Sequence, residues 1–239
     1  MHSSNDRSDP ALSRRSTRAL LIFGRRPLPG RVKTRLSPAL SPDEAAMLYD
    51  CMVRDVVART ARLDLDSRFL FYEDDRGAGE YFRSLDRGLV LLPQQGPGLG
   101  ERLSNAFAEV FGRGYTTVAA VGTDSPDLPA EFITRAFTQL EAGAADVVFG
   151  PAEDGGYYLV GLRGENPEIF REVPWSTGQV LPVSLQRAAQ AGLRAELLPQ
   201  WYDIDEPSDL CREDLRTAGH TGAFLVAVSE MQKPDSLLS

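Results

Sequence analysis

The chain has 239 residues, 42% of them hydrophobic and 25% charged, the composition of one globular domain, and no apolar run nears the roughly 20 residues of a membrane-spanning helix. A net charge of -8 argues against broad nucleic-acid binding, which needs a basic stripe over much of a surface. Two cysteines, Cys51 and Cys211, are too few and too far apart for a disulfide framework or a zinc cluster, so a reducing cytoplasm is the expected compartment.

Residues 1–17 are polar and serine-rich without an apolar centre, and read as a disordered leader rather than a secretory signal. The run ALLIF (19–23) is the first expected strand. Behind it, Gly24 to Leu36 reads GRRPLPGRVKTRL, with five basic residues and no acid in an otherwise acidic chain. The chain holds 24 arginines and only two lysines, Lys33 and Lys233, so Lys33 is the lone lysine in the body of the domain. An ammonium is a compact point charge suited to a phosphate oxygen, and the loop is expected to meet a small anion.

Further strands are expected at 67–72, 89–92, 116–122, 145–150, 157–162 and 194–198, and helices at 42–62, 78–84, 100–112, 130–142, 178–191 and 206–217. The first helix opens with Ser41, Pro42, Asp43 and Glu44, a capping sequence with acids at the positive helix end. This alternation predicts an α/β fold over 18–218 with a mostly parallel, doubly wound sheet and ligands at the carboxyl ends of its strands; 219–239 is left as a C-terminal tail. The connection between 145–150 and 157–162 is too short for a crossover, which predicts one antiparallel strand.

In the loop PQQGPGLGERL, Gly98 and Gly100 permit close backbone approach to a nucleobase or ribose, although any loop looks so. VAAVGTDSPDLP places Asp124 at a strand's carboxyl end, where a hard carboxylate suits Mg²⁺ or Mn²⁺, while Asp127 either joins it or caps the next helix. In GPAEDGGYYLVGL, Asp154 either shapes a tight turn before Gly155 and Gly156, with Tyr157 in the core, or serves as the base that activates an acceptor held by the Gly155 and Gly156 amides, with Tyr157 beside it. Trp175, in VPWST, walls the acceptor or packs in the core. In WYDIDEPSDL, Asp203 and Asp205 share a face of an extended chain, and Ser208 and Asp209 serve the following turn. With His2 and His220 near the chain ends, a hydrolase triad has no members to assemble.

The succession LIFGRRPLPGRVKTRLSPALSPDEAA, GTDSPDL, GPAEDGGYYLVGL, VPWST and DIDEPSDL resembles the motifs of the DUF2064 group of glycosyltransferase-like proteins, from about Arg18 to Leu215. More broadly, KTRL and DIDEPSDL are similar to features of phospholactate guanylyltransferases and molybdenum-cofactor nucleotidyltransferases. The resemblance implies a GT-A type, Rossmann-like three-layer sandwich, with Lys33 and Arg35 on donor phosphates and Asp124 and Asp205 on a metal. In the loop itself Arg25 is expected close to those phosphates, with Gly30 permitting the turn. The chain departs from the pattern at Arg25 and Arg26, where relatives more often carry Lys before the proline, and it lacks the long glycine-rich loop of the sugar nucleotidyltransferases. The expected function is glycosyl transfer from a nucleotide sugar to a small-molecule acceptor with Mg²⁺ or Mn²⁺. The alternatives are nucleotidyl transfer from a nucleoside triphosphate with release of pyrophosphate, and a catalytically silent nucleotide-binding regulator.

Overall fold

The structure, a computed structural model, describes residues 17–37 and 39–231. The expected leader, apart from Thr17, and residues 232–239 with Lys233 lie outside the described residues. The strands are β1 (Arg18–Gly24), β2 (Ser67–Tyr72), β3 (Leu89–Pro93), β4 (Thr117–Val121), β5 (Val147–Pro151), β6 (Tyr157–Leu162) and β7 (Ala195–Leu197). The helices are α1 (Pro42–Thr60), α2 (Ala78–Leu85), α3 (Leu99–Gly112), α4 (Ala130–Glu141), α5 (Val180–Gln190) and α6 (Gly219–Met231). The strands form one sheet in the order β3-β2-β1-β4-β6-β5-β7. Only β6 runs antiparallel to its neighbours, β4 and β5, as the short connection requires.

Buried apolar residues alternate across the sheet and build two cores, which gives the three layers. Leu20 and Ile22 of β1 face a core filled by Met52 and Val53 of α1 and by Ile133, Ala136 and Phe137 of α4. Ala19 and Leu21 face the opposite core, with Leu103, Phe107 and Val110 of α3 and Ala188 of α5. Because both faces are covered, β1 and β4 read as continuous apolar runs rather than alternating ones. The parallel strands bring the ends of β1 and β4 to one edge of the sheet, and the reversed β6 begins at that same edge, with Tyr157.

Two expectations are corrected. Residues 206–217 are not a helix but two short 3₁₀ turns, Pro207–Cys211 and Asp214–Thr217, separated by an extended Arg212; only Leu215 in them is buried, so no apolar face sustains a longer helix. The expected tail is structured over Gly219–Met231 as α6, which packs on α1. The helix is apolar around much of its circumference, GAFLV included, so it lacks the stripe by which sequence periodicity announces a helix. Its start is fixed from a distance: the buried carboxylate of Asp55 on α1 accepts the amides of His220 and Thr221, each at 2.8 Å. The side chain of Ser41 likewise closes a capping box with Glu44 at the start of α1. No described helix is long and apolar enough to cross a membrane.

Asp55→Ala removes both charge-assisted caps of α6 at a buried position and should destabilise the protein by about 2 kcal/mol, seen as a lower midpoint in urea unfolding. An unchanged midpoint would mean that α6 docks without its cap.

Candidate active site

Three segments far apart in sequence meet at the carboxyl edge of the sheet. After β1 the chain turns at Gly30, at φ 72, where the amide of Arg31 donates to the Leu28 carbonyl at 3.0 Å. Lys33 then adopts the left-handed region at φ 48, uncommon for a side chain of its kind, and buried Leu36 anchors the 3₁₀ turn that follows. The Lys33 side chain is 4% exposed, and its ammonium donates to Asp124 Oδ1 at 2.5 Å and to Asp205 Oδ1 at 2.9 Å. Burial pulls the affinity of this ammonium for its proton down, but the two carboxylates outweigh it and hold the group well above the ordinary lysine value.

Asp124 leaves the end of β4, and Asp205 lies on an extended strap, residues 199–206. The strap pairs with the end of β5 through an Ala152–Trp201 bridge and ties directly to the first acid, because the Ile204 amide donates to the Asp124 carbonyl at 2.9 Å. Tyr49 of α1 joins the other two segments: its hydroxyl lies 2.7 Å from Thr123 Oγ1 and accepts the Arg25 amide at 3.4 Å.

Two recesses share this junction. One, of about 250 Å³, is bordered by Arg25, Arg31, Lys33 and Arg35 together with Asp124 and Asp205. The adjoining cleft, of about 470 Å³, shares Arg25, Tyr49 and the two acids and extends to Asp154, Gly156, Tyr157, Trp175 and Asp203. Asp203 accepts the Ser125 hydroxyl at 2.6 Å. Its carboxyl is pushed up to about 7 by burial first and by the charge of Asp124, against the pull of Ser125 and Lys33.

Gathered at one place, therefore, are Arg25, Lys33, Arg35, Asp124 and Asp205, with Asp154, Gly156, Tyr157 and Trp175 along the cleft. Asp154 also makes the expected turn, its Oδ1 accepting the Gly156 amide at 2.8 Å. Trp175 meets Tyr157 edge to face at 6.1 Å, and the next residue, Ser176, is held at φ 63. Asp209 accepts the amides of Asp205 and Glu206 and so serves the turn.

Three glycines and one aspartate have other places. Gly98 is the extended cap residue of α3, outside the cleft lining. A Cβ on Gly100 would lie 2.7 Å from the Phe170 carbonyl and 2.7 Å from Trp175 Nε1, so this glycine lets α3 approach the loop that carries Trp175. Gly155, at φ +89, presses on the Gly178 backbone, where a Cβ would come within 2.4 Å of the carbonyl oxygen, and it joins two loops. Asp127 neither reaches the cleft nor caps α4, whose first residue follows Pro129. It is buried and accepts the Tyr202 hydroxyl and, at 3.4 Å, the Trp201 indole N–H, bracing the strap.

The sequence reading does not single out Arg31, Tyr49, Thr123 or Ser125. Arg31 belongs to the basic run that gave its neighbours away, whereas Tyr49 reads as a core aromatic on an amphipathic helix. Among the described residues no cluster of three or more His, Cys, Asp or Glu side chains is arranged to hold a metal ion. Two convergent carboxylates are nonetheless the donor set that Mg²⁺ uses when nucleotide phosphates and water complete its shell, so Asp124 and Asp205 fit such an ion.

A family model described as "Uncharacterized protein conserved in bacteria (DUF2064)" matches residues 56–177. The 2-phospho-L-lactate guanylyltransferase of Methanothermobacter thermautotrophicus is 35% identical over 135 residues, 55% of this chain and 56% of that protein, so the match spans little more than half of the relative. A protein of Desulfovibrio desulfuricans G20, whose own assignment as a nucleotide-diphospho-sugar transferase is provisional, superposes with a TM-score of 0.81 at 32% identity over 90% of this chain and 96% of that one. CMP:2-keto-3-deoxy-manno-octonic acid synthetase shares the fold, with a TM-score of 0.55 at 12% identity over 90% of this chain and 100% of that one.

The close packing at Gly100 has a measurable consequence. Gly100→Ala should displace Trp175, costing about 1–3 kcal/mol as an overpacked site and shifting the intrinsic fluorescence. A variant with wild-type emission and wild-type unfolding would show that the loop gives way freely.

Proposed function

The chain belongs to the DUF2064 family, and we propose that it is a metal-dependent transferase that takes a glycosyl group from a nucleotide sugar and passes it to a small hydroxylated acceptor. The observation that carries this reading is the charge of the cleft's far wall. Among the described lining residues, the cations are Arg25 and Arg102, both on the β1 to β3 side, where Arg102 is already bound to Gln94 and Gly96. The side toward β6 offers Asp154, Asp203, Tyr157 and Trp175. Aromatic faces, the Asp154 carboxylate and a partly protonated Asp203 suit the C–H faces and hydroxyls of a sugar-like acceptor, and the absence of a cation there among the described lining residues disfavours a phosphorylated one. The Desulfovibrio desulfuricans relative, similar over nearly its whole length, supports the same class.

In this reading Lys33, Arg35 and Arg25, joined by Arg31, bind the donor's phosphates, and the Gly30 turn lets the loop fold over them. Asp124 and Asp205 hold Mg²⁺ or Mn²⁺, which when bound neutralises charge on the departing diphosphate. Asp154 accepts the proton of the acceptor hydroxyl. One of its oxygens already orders the turn, so its position does not depend on a substrate. Trp175 and Tyr157 orient the acceptor against it.

A second reading is nucleotidyl transfer from a nucleoside triphosphate onto a phosphorylated acid. Four cations bordering one recess of about 250 Å³ favour it, being ample for three phosphates, as does the guanylyltransferase relative. The two reactions differ in a product. Incubated with nucleoside triphosphates, Mg²⁺ and a panel of phosphorylated acids, the protein should release no pyrophosphate, whereas nucleotide sugars with hydroxylated acceptors should yield free nucleoside diphosphate. Rapid pyrophosphate release would overturn the glycosyl reading in favour of the nucleotidyl one.

Asp154→Asn keeps the oxygen that accepts the Gly156 amide and removes only the basicity. Turnover should fall by about 10²- to 10⁴-fold, the usual contribution of a positioned base, with nucleotide affinity and thermal stability unchanged. Near-normal turnover would place the base elsewhere.

A further inference from the structure

Resting on the metal assignment above, we infer that Lys33 is an exchangeable internal counter-ion: its ammonium holds the position between Asp124 and Asp205 in the free protein and is drawn off by the nucleotide's phosphates, so that metal enters with the nucleotide and not before it. The three side chains differ sharply in access. That of Lys33 is 4% exposed, while those of Asp124 and Asp205 are 47% and 44% exposed, so the acids open to solvent and the lysine closes the space between them from the protein side. Oxygens at 2.5 and 2.9 Å from Nζ take up two of the three N–H donors. A divalent cation bound to the same two oxygens would lie within a few ångströms of the ammonium, and two cations cannot share that pair in a half-buried place.

What could draw the lysine away is also at hand. The recess bordered by Arg25, Arg31 and Arg35 begins at Lys33 itself, so phosphate oxygens arriving there offer the ammonium a new anionic partner. The backbone can follow, because Lys33 sits at φ 48, a conformation that costs energy and is retained while its contacts hold, three residues past the Gly30 turn. The exchange preserves charge pairing throughout. The ammonium passes from carboxylate to phosphate, and the carboxylates pass from ammonium to metal. Linkage then makes metal and nucleotide each raise the other's affinity.

The test compares Mn²⁺ binding to the full chain and to Lys33→Met, read from the free-ion electron paramagnetic resonance signal without nucleotide. Lys33→Met should bind Mn²⁺ at least tenfold more tightly than the parent, and Lys33→Met with Asp124→Asn should lose that gain. Equal Mn²⁺ affinity in parent and Lys33→Met overturns the exchange. If, in that case, Mn²⁺ still strengthens UDP or GDP binding to the parent and Asp124→Asn abolishes the effect, the metal site stands without the exchange. If Mn²⁺ affects neither protein, with or without those nucleotides, the metal assignment falls as well. Should Lys33→Met not fold, the parent supplies an independent reading, because with only two lysines in the chain ¹⁵N-lysine labelling leaves at most Lys233 to be told apart from Lys33. The Lys33 ammonium signal should hold on adding Mg²⁺ alone and move on adding Mg²⁺ with the nucleotide; movement with Mg²⁺ alone, or with neither, would refute the inference.

Discussion

The edge of the sheet is organised by one buried ammonium that needs two carboxylates. The Lys33 side chain is almost without solvent, and a charge so placed is tolerable only if its partners are fixed around it. Each partner is accordingly tied down. Asp124 follows directly from the central strand β4, and Asp205 is carried by a strap that bonds to the backbone of Asp124 itself. The turn at Gly30, the left-handed backbone at Lys33 and the Tyr49 link to Thr123 all serve the geometry in which these groups meet. Loss of either carboxylate would leave the ammonium with half its compensation, so the three residues form a unit in stability.

Little of the strap is regular structure. It continues from β7 as an extended chain held by the end of β5 and by an aromatic brace. Trp201 stacks on Tyr202, the guanidinium of Arg212 lies 3.9 Å over the Tyr202 ring and reaches Glu153, and Asp127 accepts from both aromatics. Thus the two acids of the loop after β4 have divided roles: Asp124 faces the cleft, and Asp127, three residues on, holds the strap that delivers Asp203 and Asp205. The glycines follow the same division. Gly156 borders the cleft, whereas Gly100 and Gly155 allow neighbouring loops to touch and so set the position of Trp175 and of the Asp154 turn.

Charge is graded along the cleft. Cations gather on the loop after β1, the acid pair stands at its middle, and carboxylates with aromatic faces line the side toward β6. In the proposed reaction, donor and acceptor would be distinguished by where negative charge is welcome. This gradient arises from topology, since the sheet order places β1 and β6 on either side of β4.

The sequence by itself determined the alternation of strands and helices, the antiparallel β6, the basic loop and the candidates Lys33, Asp124, Asp154 and Asp205, because period, run length and local charge are properties of neighbouring residues. Only the tertiary structure decided that 219–231 is a helix, since its cap comes from Asp55 on α1, and that 206–217 is not one, since of its two 3₁₀ turns only Leu215 is buried in the core. It decided equally that Asp127 braces the strap and that Gly100 and Gly155 join loops, because those roles depend on atoms brought within hydrogen-bonding or van der Waals reach from distant parts of the chain. Lys33 shows the boundary most clearly. Its charge and its loop were legible, but its partners lie 91 and 172 positions further along, and nothing in local sequence records which carboxylates the fold will set within 3 Å of an ammonium.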